Sequence, residues 1–467
     1  MNRSNRMRRF GWQGAIVCGG LAVGWAQGGA MADQIESVDG VRMIHVPDPG
    51  LGVVFVQVLF EGGALMDPAG EEGLANLTAR MLLRGTKTRT YQQIMDEVNN
   101  LGASLDATAR KEVFGLYGDF MPRFLERYAE IVADVLAHPA FRSDEEFRRE
   151  KALVLEDLVN IRNDDAELAQ HFFARFLYRR HPLGRPTQGY LSTVSKIQAR
   201  DCRSFYRRIA RRGNLIIAIA GDVSAEDARR FVRTVAAAIP DGRVEPPKLP
   251  GPPKRSGIRV LIVDKPERSQ TQVILGHPSL GWRDPDLFPV LVGNTAFGGT
   301  FTSRLMQEIR EKRGWSYGVS SQVTGGREFG TLAIRFFPAS RDTPAAIALA
   351  RDLIRAVASE GLREDEVAFA RNHLAHQFPF RIETAAKRAD EILATLIYGR
   401  PPDFLDSYVR RVQEQTTDAV NRAMARWFDP DNLVIVVVGT ASELQEPLRA
   451  MPGVREVRVH PYDRDRL

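Results

Sequence analysis

The sequence predicts an α+β protein of two homologous domains, each a largely antiparallel sheet with helices packed on one face. Three observations lead there. Two strand-like runs, Asn214-Leu215-Ile216-Ile217-Ala218-Ile219-Ala220-Gly221 and Asn432-Leu433-Val434-Ile435-Val436-Val437-Val438-Gly439, repeat one pattern about 218 residues apart, near half the chain. Residues 240–257 contain Pro246, Pro247, Pro250, Pro252 and Pro253 among Gly and Lys, the composition of an extended, semi-rigid linker. Strands and helices otherwise mix without the strict βαβ alternation of a doubly wound parallel sheet.

Each element has a local reason. Residues 1–32 hold Arg3, Arg6, Arg8 and Arg9, an apolar run through Ile16, Val17, Leu21 and Val23, and Ala30-Met31-Ala32 before Asp33, the layout of a cleaved secretory signal. The apolar run is short and Gly-broken for a membrane span, so no span is expected after cleavage. The N-terminal domain is then residues 33–239 and the C-terminal domain residues 258–467, joined by the linker 240–257. In the first, residues 53–60 read as a strand stopped by Glu61-Gly62-Gly63, and residues 73–83 read as a helix. Ser143 with Glu146 forms a capping-box pattern, opening a helix through Phe147, Val154, Leu158 and Ile161. The second domain starts alike, with strands at 260–263 and 271–275 and a helix at 288–297. Ala346, Ala350, Ile354 and Val357 form a core stripe at helical spacing.

Composition narrows the function. The chain has 467 residues, 44% hydrophobic and 26% charged, with a formal net charge of +6. Loss of residues 1–32 removes four arginines and leaves 435 residues at +2. So small a balance implies neither a nucleic-acid partner nor an acidic membrane surface, and runs such as Arg207-Arg208 read as solvated helix faces. Cys202 is the one cysteine left after Cys18, which excludes an internal disulfide and a cysteine metal cluster from the exported form.

The chemistry begins at Gly73-Leu74-Ala75-Asn76-Leu77-Thr78-Ala79-Arg80-Met81-Leu82-Leu83-Arg84-Gly85-Thr86. An inverted zinc motif, H-x-x-E-H, sets two His four apart on one helical face with a Glu beside them as general base. Here those positions are Asn76, Ala79 and Arg80. The stretch resembles the pitrilysin/insulinase family of zinc peptidases, which includes the mitochondrial processing peptidases. The family pattern G-x-A-H-F-L-E-H-M-x-F-K-G-T keeps its register on Gly73, Ala75, Met81, Gly85 and Thr86 without a gap. The resemblance places the family's third ligand, a Glu, at Asp157 beside Glu156, and a further usual Glu at Glu150. One acidic ligand does not hold zinc, and an arginine at a ligand position repels the cation. The expectation is therefore no metal and no catalytic residue in this chain, with Arg80 paired to Asp157 or Glu156.

A second motif is intact. Phe297-Gly298-Gly299-Thr300-Phe301-Thr302-Ser303-Arg304-Leu305, followed by Arg310-Glu311-Lys312-Arg313-Gly314-Trp315-Ser316-Tyr317, is similar to the family's second-domain signature. The resemblance implies that Arg310 and Tyr317 bind substrate, since a guanidinium and a phenol both donate hydrogen bonds to a peptide carbonyl. Gly298-Gly299 lacks the Lys-Ser/Thr of a phosphate loop. His373 and His376 lie three apart with no acidic residue between, and they read as packing. His181-Pro182-Leu183-Gly184-Arg185-Pro186 reads as scaffold.

Arg310 and Tyr317 without the metal set is the pattern of a non-catalytic subunit. The resemblance implies a heterodimer in which this chain forms half of a clamshell and a zinc-bearing family partner supplies the metal, two His and a Glu. Peptide substrates, strand addition to a sheet edge and a periplasmic location complete the expectation. The alternative expectation is a structural or peptide-binding protein of the same fold with no peptidase role.

Overall fold

A computed structural model of the chain describes residues 34–142, 144–254 and 257–467. The expected signal at 1–32 and the capping residue Ser143 lie outside the described residues. The helix after Ser143, Glu145–Asn160, is capped by Asp144, whose side chain accepts from the Phe147 N–H.

Among the described residues, twelve strands form two six-stranded sheets. They are β1 (Ile35–Val38), β2 (Val41–Pro47), β3 (Val54–Glu61), β4 (Ser104–Ala109), β5 (Val113–Phe120), β6 (Leu215–Gly221), β7 (Ile258–Asp264), β8 (Gln272–Leu280), β9 (Val319–Thr324), β10 (Phe329–Phe336), β11 (Val434–Gly439) and β12 (Val454–Pro461). The first sheet runs β1-β2-β6-β3-β5-β4 and the second β12-β7-β11-β8-β10-β9. Five strands correspond one to one, β2-β6-β3-β5-β4 with β7-β11-β8-β10-β9. In each sheet the repeated run lies parallel to one neighbour, with Ile44 opposite Ala218 and Leu261 opposite Val436, while β3 and β8 cross it antiparallel. The edges differ: β1 is the near arm of an antiparallel hairpin with β2, whereas β12 returns from the chain's far end to lie parallel to β7.

The continuous apolar character of β6 and β11 has a plain cause. Every residue of both strands is buried, because each sheet is covered on both faces. On one face of the first sheet, Leu215, Ile217 and Ile219 join Val54, Val56 and Val58 against helices of the same domain. On its other face, Ile216, Ala218 and Ala220 meet the second domain's helix Ala385–Tyr398, through Ile392, Leu393 and Ile397. The second sheet mirrors this. Val434, Val436 and Val438 pack against the first domain's helix Asp165–Tyr178, through Phe172, Phe173 and Phe176. The expected helices on one face are thus completed by a helix exchanged between domains. Burial at roughly 25 cal/mol per Å² of apolar surface makes that exchange a strong tie.

Residues 240–254 contain no helix or strand. His181 clips them in place. Its Nδ1 accepts from the Leu183 N–H at 3.1 Å, so Nε2 carries the proton and donates to the Pro250 carbonyl at 3.0 Å. Among the described residues no helix is long and apolar enough to cross a membrane.

Candidate functional site

The degenerate metal helix is Leu74–Leu82. Gly73 opens it at φ 99°, where a Cβ would stand 2.7 Å from the Gln188 carbonyl oxygen, so the position takes glycine alone. The helix start is capped from a distance. Asp67 Oδ2 accepts from the Gly73 N–H at 2.9 Å and Oδ1 from the Ala75 N–H at 2.8 Å. Burial pushes the Asp67 carboxyl up to about 7 against the pull of those two donors. Beside it, burial brings the Lys111 ammonium down to about 8, and its Nζ donates to the Arg185 carbonyl.

The three motif positions meet different ends. Ala79 is buried, and Asn76 is half-buried with its Nδ2 lacking a hydrogen-bond partner. Arg80 Nη2 donates to Asp157 Oδ2 at 2.7 Å, while Glu156 stands exposed beside it. One turn further, Arg84 pairs with Glu150, lies 3.8 Å from Glu146, and stacks 4.2 Å from the centre of the Tyr91 ring. Glu150 is only 2% exposed, and that burial raises its pKa although Arg84 and Arg80 oppose the rise.

These side chains do not fit a zinc ion. A zinc site takes at least three N, O or S donors, and Ala79 has none. The guanidinium of Arg80 never gives up its proton and already occupies the carboxylate of Asp157. Among the described residues no group of three or more His, Cys, Asp or Glu could hold a metal ion. His373 stacks on Phe369 at 6.1 Å, with His376 exposed on the same helix, Glu364–Arg381. Cys202 is buried, and burial pushes its thiol up to about 12.

Between β8 and β9 the second domain departs from regular helix. Helix Leu287–Asn294 widens into a π-helical turn at Thr295–Gly299, and a second π-helical turn spans Met306–Glu311. Such turns are rare and recur at functional sites. Gly298 allows the first to press on β9: a Cβ there would lie 2.5 Å from Ser321 Cβ and 2.7 Å from Leu305 Cδ1. That close approach is the glycine's role, in place of a phosphate cradle. Arg310 sits on the second π turn, and Tyr317 lies two residues before β9.

Tyr317 is 80% exposed and Phe301 75% exposed. The Arg310 guanidinium lies 5.2 Å from the Tyr317 ring centre and 5.6 Å from that of Phe301. Neighbouring cations have carboxylates: Arg304 with Glu366 at 2.6 Å, and Lys312 and Arg313 with Glu308 at 2.6 and 2.8 Å. Arg310 forms no ion pair among the described residues. Phe301 is the site residue that motif reasoning passed over. Its available signal was an apolar side chain in the polar turn Gly-Gly-Thr-Phe-Thr-Ser. The structure thus joins Arg80 to Asp157 and Arg310 to Tyr317. The two pairs stand in different domains, and no hydrogen bond or ion pair joins them among the described residues.

Comparison with known proteins fits this layout. A family model described as insulinase, peptidase family M16, matches residues 42–190, and one described as the peptidase M16 inactive domain matches residues 196–374. The chain belongs to the insulinase (M16) family. An uncharacterized zinc protease of Streptomyces coelicolor is 27% identical over 393 residues, covering 83% of this chain and 85% of that protein. Another from Mycobacterium tuberculosis is 28% identical over 423 residues, covering 89% and 95%. A crystal structure described as a peptidase M16 inactive domain from Pseudomonas fluorescens superposes with a TM-score of 0.80 at 26% identity, covering 87% of this chain and 97% of that one. A Helicobacter pylori protease shares the fold at a TM-score of 0.75 and 17% identity, covering 86% and 98%.

Proposed function

We propose that this M16 chain is the exported, non-catalytic subunit of a two-chain zinc endopeptidase. One contrast carries the reading. The position where a family peptidase keeps its ligands is closed by the Arg80–Asp157 ion pair, while Tyr317 stands exposed beside a half-buried Arg310 that forms no ion pair among the described residues. A zinc-bearing partner of the same family supplies the metal, its ligands and the general base. This chain supplies chamber wall and two donors, Arg310 and Tyr317, which bind a carbonyl oxygen of the peptide and hold it as negative charge develops there. Extended peptide adds to a sheet edge; β4 is a free edge, and the helix Leu74–Leu82 packs beside it. Residues 1–32 support export, and the periplasm is the proposed location.

The test is co-expression with a zinc-bearing M16 chain and cleavage of a quenched peptide by each chain alone and by the pair. The pair is expected to exceed either chain. Arg310→Ala or Tyr317→Ala should cost the pair on the order of a hundredfold in kcat/KM, the loss typical of one oxyanion donor. If pair and variants match the partner alone, the subunit reading fails and a structural role replaces it.

A further inference from the structure

Of the exposed large hydrophobic side chains, the two most exposed, Tyr317 and Phe301, cover the same guanidinium. Exposure of this degree is ordinary for an aromatic on a loose loop, but this loop is pinned. The Ser303 N–H donates to the Thr300 carbonyl at 3.2 Å, Gln307 Nε2 to the Thr302 carbonyl at 2.9 Å, and the Gln307 N–H to the Ser303 carbonyl at 3.0 Å. Tyr317 is mounted as firmly. Buried Ser316 donates its hydroxyl to the Gly318 carbonyl at 2.7 Å and accepts from the Phe337 N–H at 3.0 Å. Two rings are thus held out toward solvent on fixed backbone, with an arginine that forms no ion pair between them.

We infer that Phe301 is a specificity-determining residue, and that this site selects extended peptides carrying a large apolar side chain next to the carbonyl held by Arg310. The inference rests on the substrate-binding reading above. Its chemistry is that of a split receptor. Arg310 offers donors to a carbonyl oxygen, which every peptide has and which therefore selects nothing. The Phe301 ring offers apolar surface at the guanidinium's flank, where the adjoining side chain of a bound peptide falls, and ring-to-ring or ring-to-aliphatic contact rewards bulk there. A small or charged side chain at that place leaves Phe301 in water. The guanidinium carries no internal carboxylate to displace, so binding begins from an open site.

The experiment uses the whole chain and two fluorescein-labelled nonapeptides identical but for a central Phe or Gly, with affinity read by anisotropy. The Phe peptide should bind roughly three- to tenfold tighter, the range of one added aromatic contact. Phe301→Ser should bring that ratio to about one by weakening the Phe peptide, and Phe301→Leu should keep part of it. Arg310→Ala should weaken both peptides alike. If Phe301→Ser leaves the ratio intact, or if the wild-type chain binds neither peptide, the inference is overturned. Loss of the ratio in Phe301→Ser with no effect of Arg310→Ala would instead overturn the role given to Arg310. The two failures are therefore separable.

Discussion

The two domains place different side chains at the same point of one scaffold. Between β3 and β4 of the first lie two regular helices, Leu74–Leu82 and Tyr91–Asn100; between β8 and β9 of the second lie helix Leu287–Asn294 and two π turns. In the first, both arginines at the old metal position have carboxylate partners within the chain: Arg80 with Asp157, Arg84 with Glu150. In the second, Arg310 has only ring faces among the described residues, and those rings are themselves exposed. A satisfied ion pair has little left to give a ligand, whereas a half-buried guanidinium flanked by exposed aromatics and held by no carboxylate keeps its donors for one. The difference locates the remaining chemistry in the C-terminal domain.

The largest test converts the closed side into an open one. Asn76→His, Arg80→His and Asp157→Glu together restore three donors on a helical frame already in register, since the Arg80–Asp157 contact at 2.7 Å shows how near the two elements lie. Wild-type protein is expected to hold well below about one zinc per chain by elemental analysis, and the triple variant about one. Stoichiometric zinc in the wild type, or none in the variant, breaks the comparison.

Next in size is Arg84→Ala. It strands the Glu150 carboxylate, 2% exposed, without its cation and should destabilise the chain by about 3–5 kcal/mol in urea unfolding. The loss should shrink in acid. Burial already raises the Glu150 pKa, and removing Arg84 takes away a cation that lowers it, so the folded variant binds a proton more readily than the unfolded chain and gains stability as pH falls. An effect below about 1 kcal/mol would show that the helix does not depend on its inner ion pair.

How much of this was legible without coordinates depended on burial. A strand covered on both faces must be apolar at every position, so β6 and β11 announced themselves and their repeat gave the duplication. The motif frame was legible because one helix keeps its register. The exchange of Asp165–Tyr178 and Ala385–Tyr398 was not, because Phe172, Phe173 and Phe176 say that a helix is buried and not which sheet buries it. Nor was the unlike pairing of β1 and β12 at the two edges, since the side-chain pattern of an edge strand does not separate parallel from antiparallel pairing. Phe301 escaped because an apolar residue in a turn reads the same whether the turn folds it in or holds it out.

A smaller effect comes from the cap of the degenerate helix. Burial raises the Asp67 carboxyl to about 7, from an ordinary value of 3.8. A raised carboxyl pKa means that the folded chain holds the proton more tightly than the unfolded chain. Its contribution is fully present below about pH 4 and is lost as pH rises toward 7. Asp67→Asn removes that titration and keeps an acceptor for one of the two N–H groups. The difference in melting temperature between wild type and variant should therefore move against the wild type from pH 4 to 7. A constant difference would mean that the two backbone donors hold Asp67 ionised throughout.

The smallest effect expected is the most telling about the opening contrast. Arg80 and Asp157 are 26% and 45% exposed, so their attraction is screened and Arg80→Ala should cost under about 1 kcal/mol. The adjacent Arg84→Ala breaks a pair of the same chemistry whose carboxylate is buried. A small loss beside a large one would show that Arg80 does not support the fold, and that its effect at the old ligand position is to place a fixed positive charge where a cation would have to sit. A loss as large as that of Arg84→Ala would make Arg80 a structural staple. The closed side of the molecule would then have been rebuilt for stability as well as emptied of chemistry.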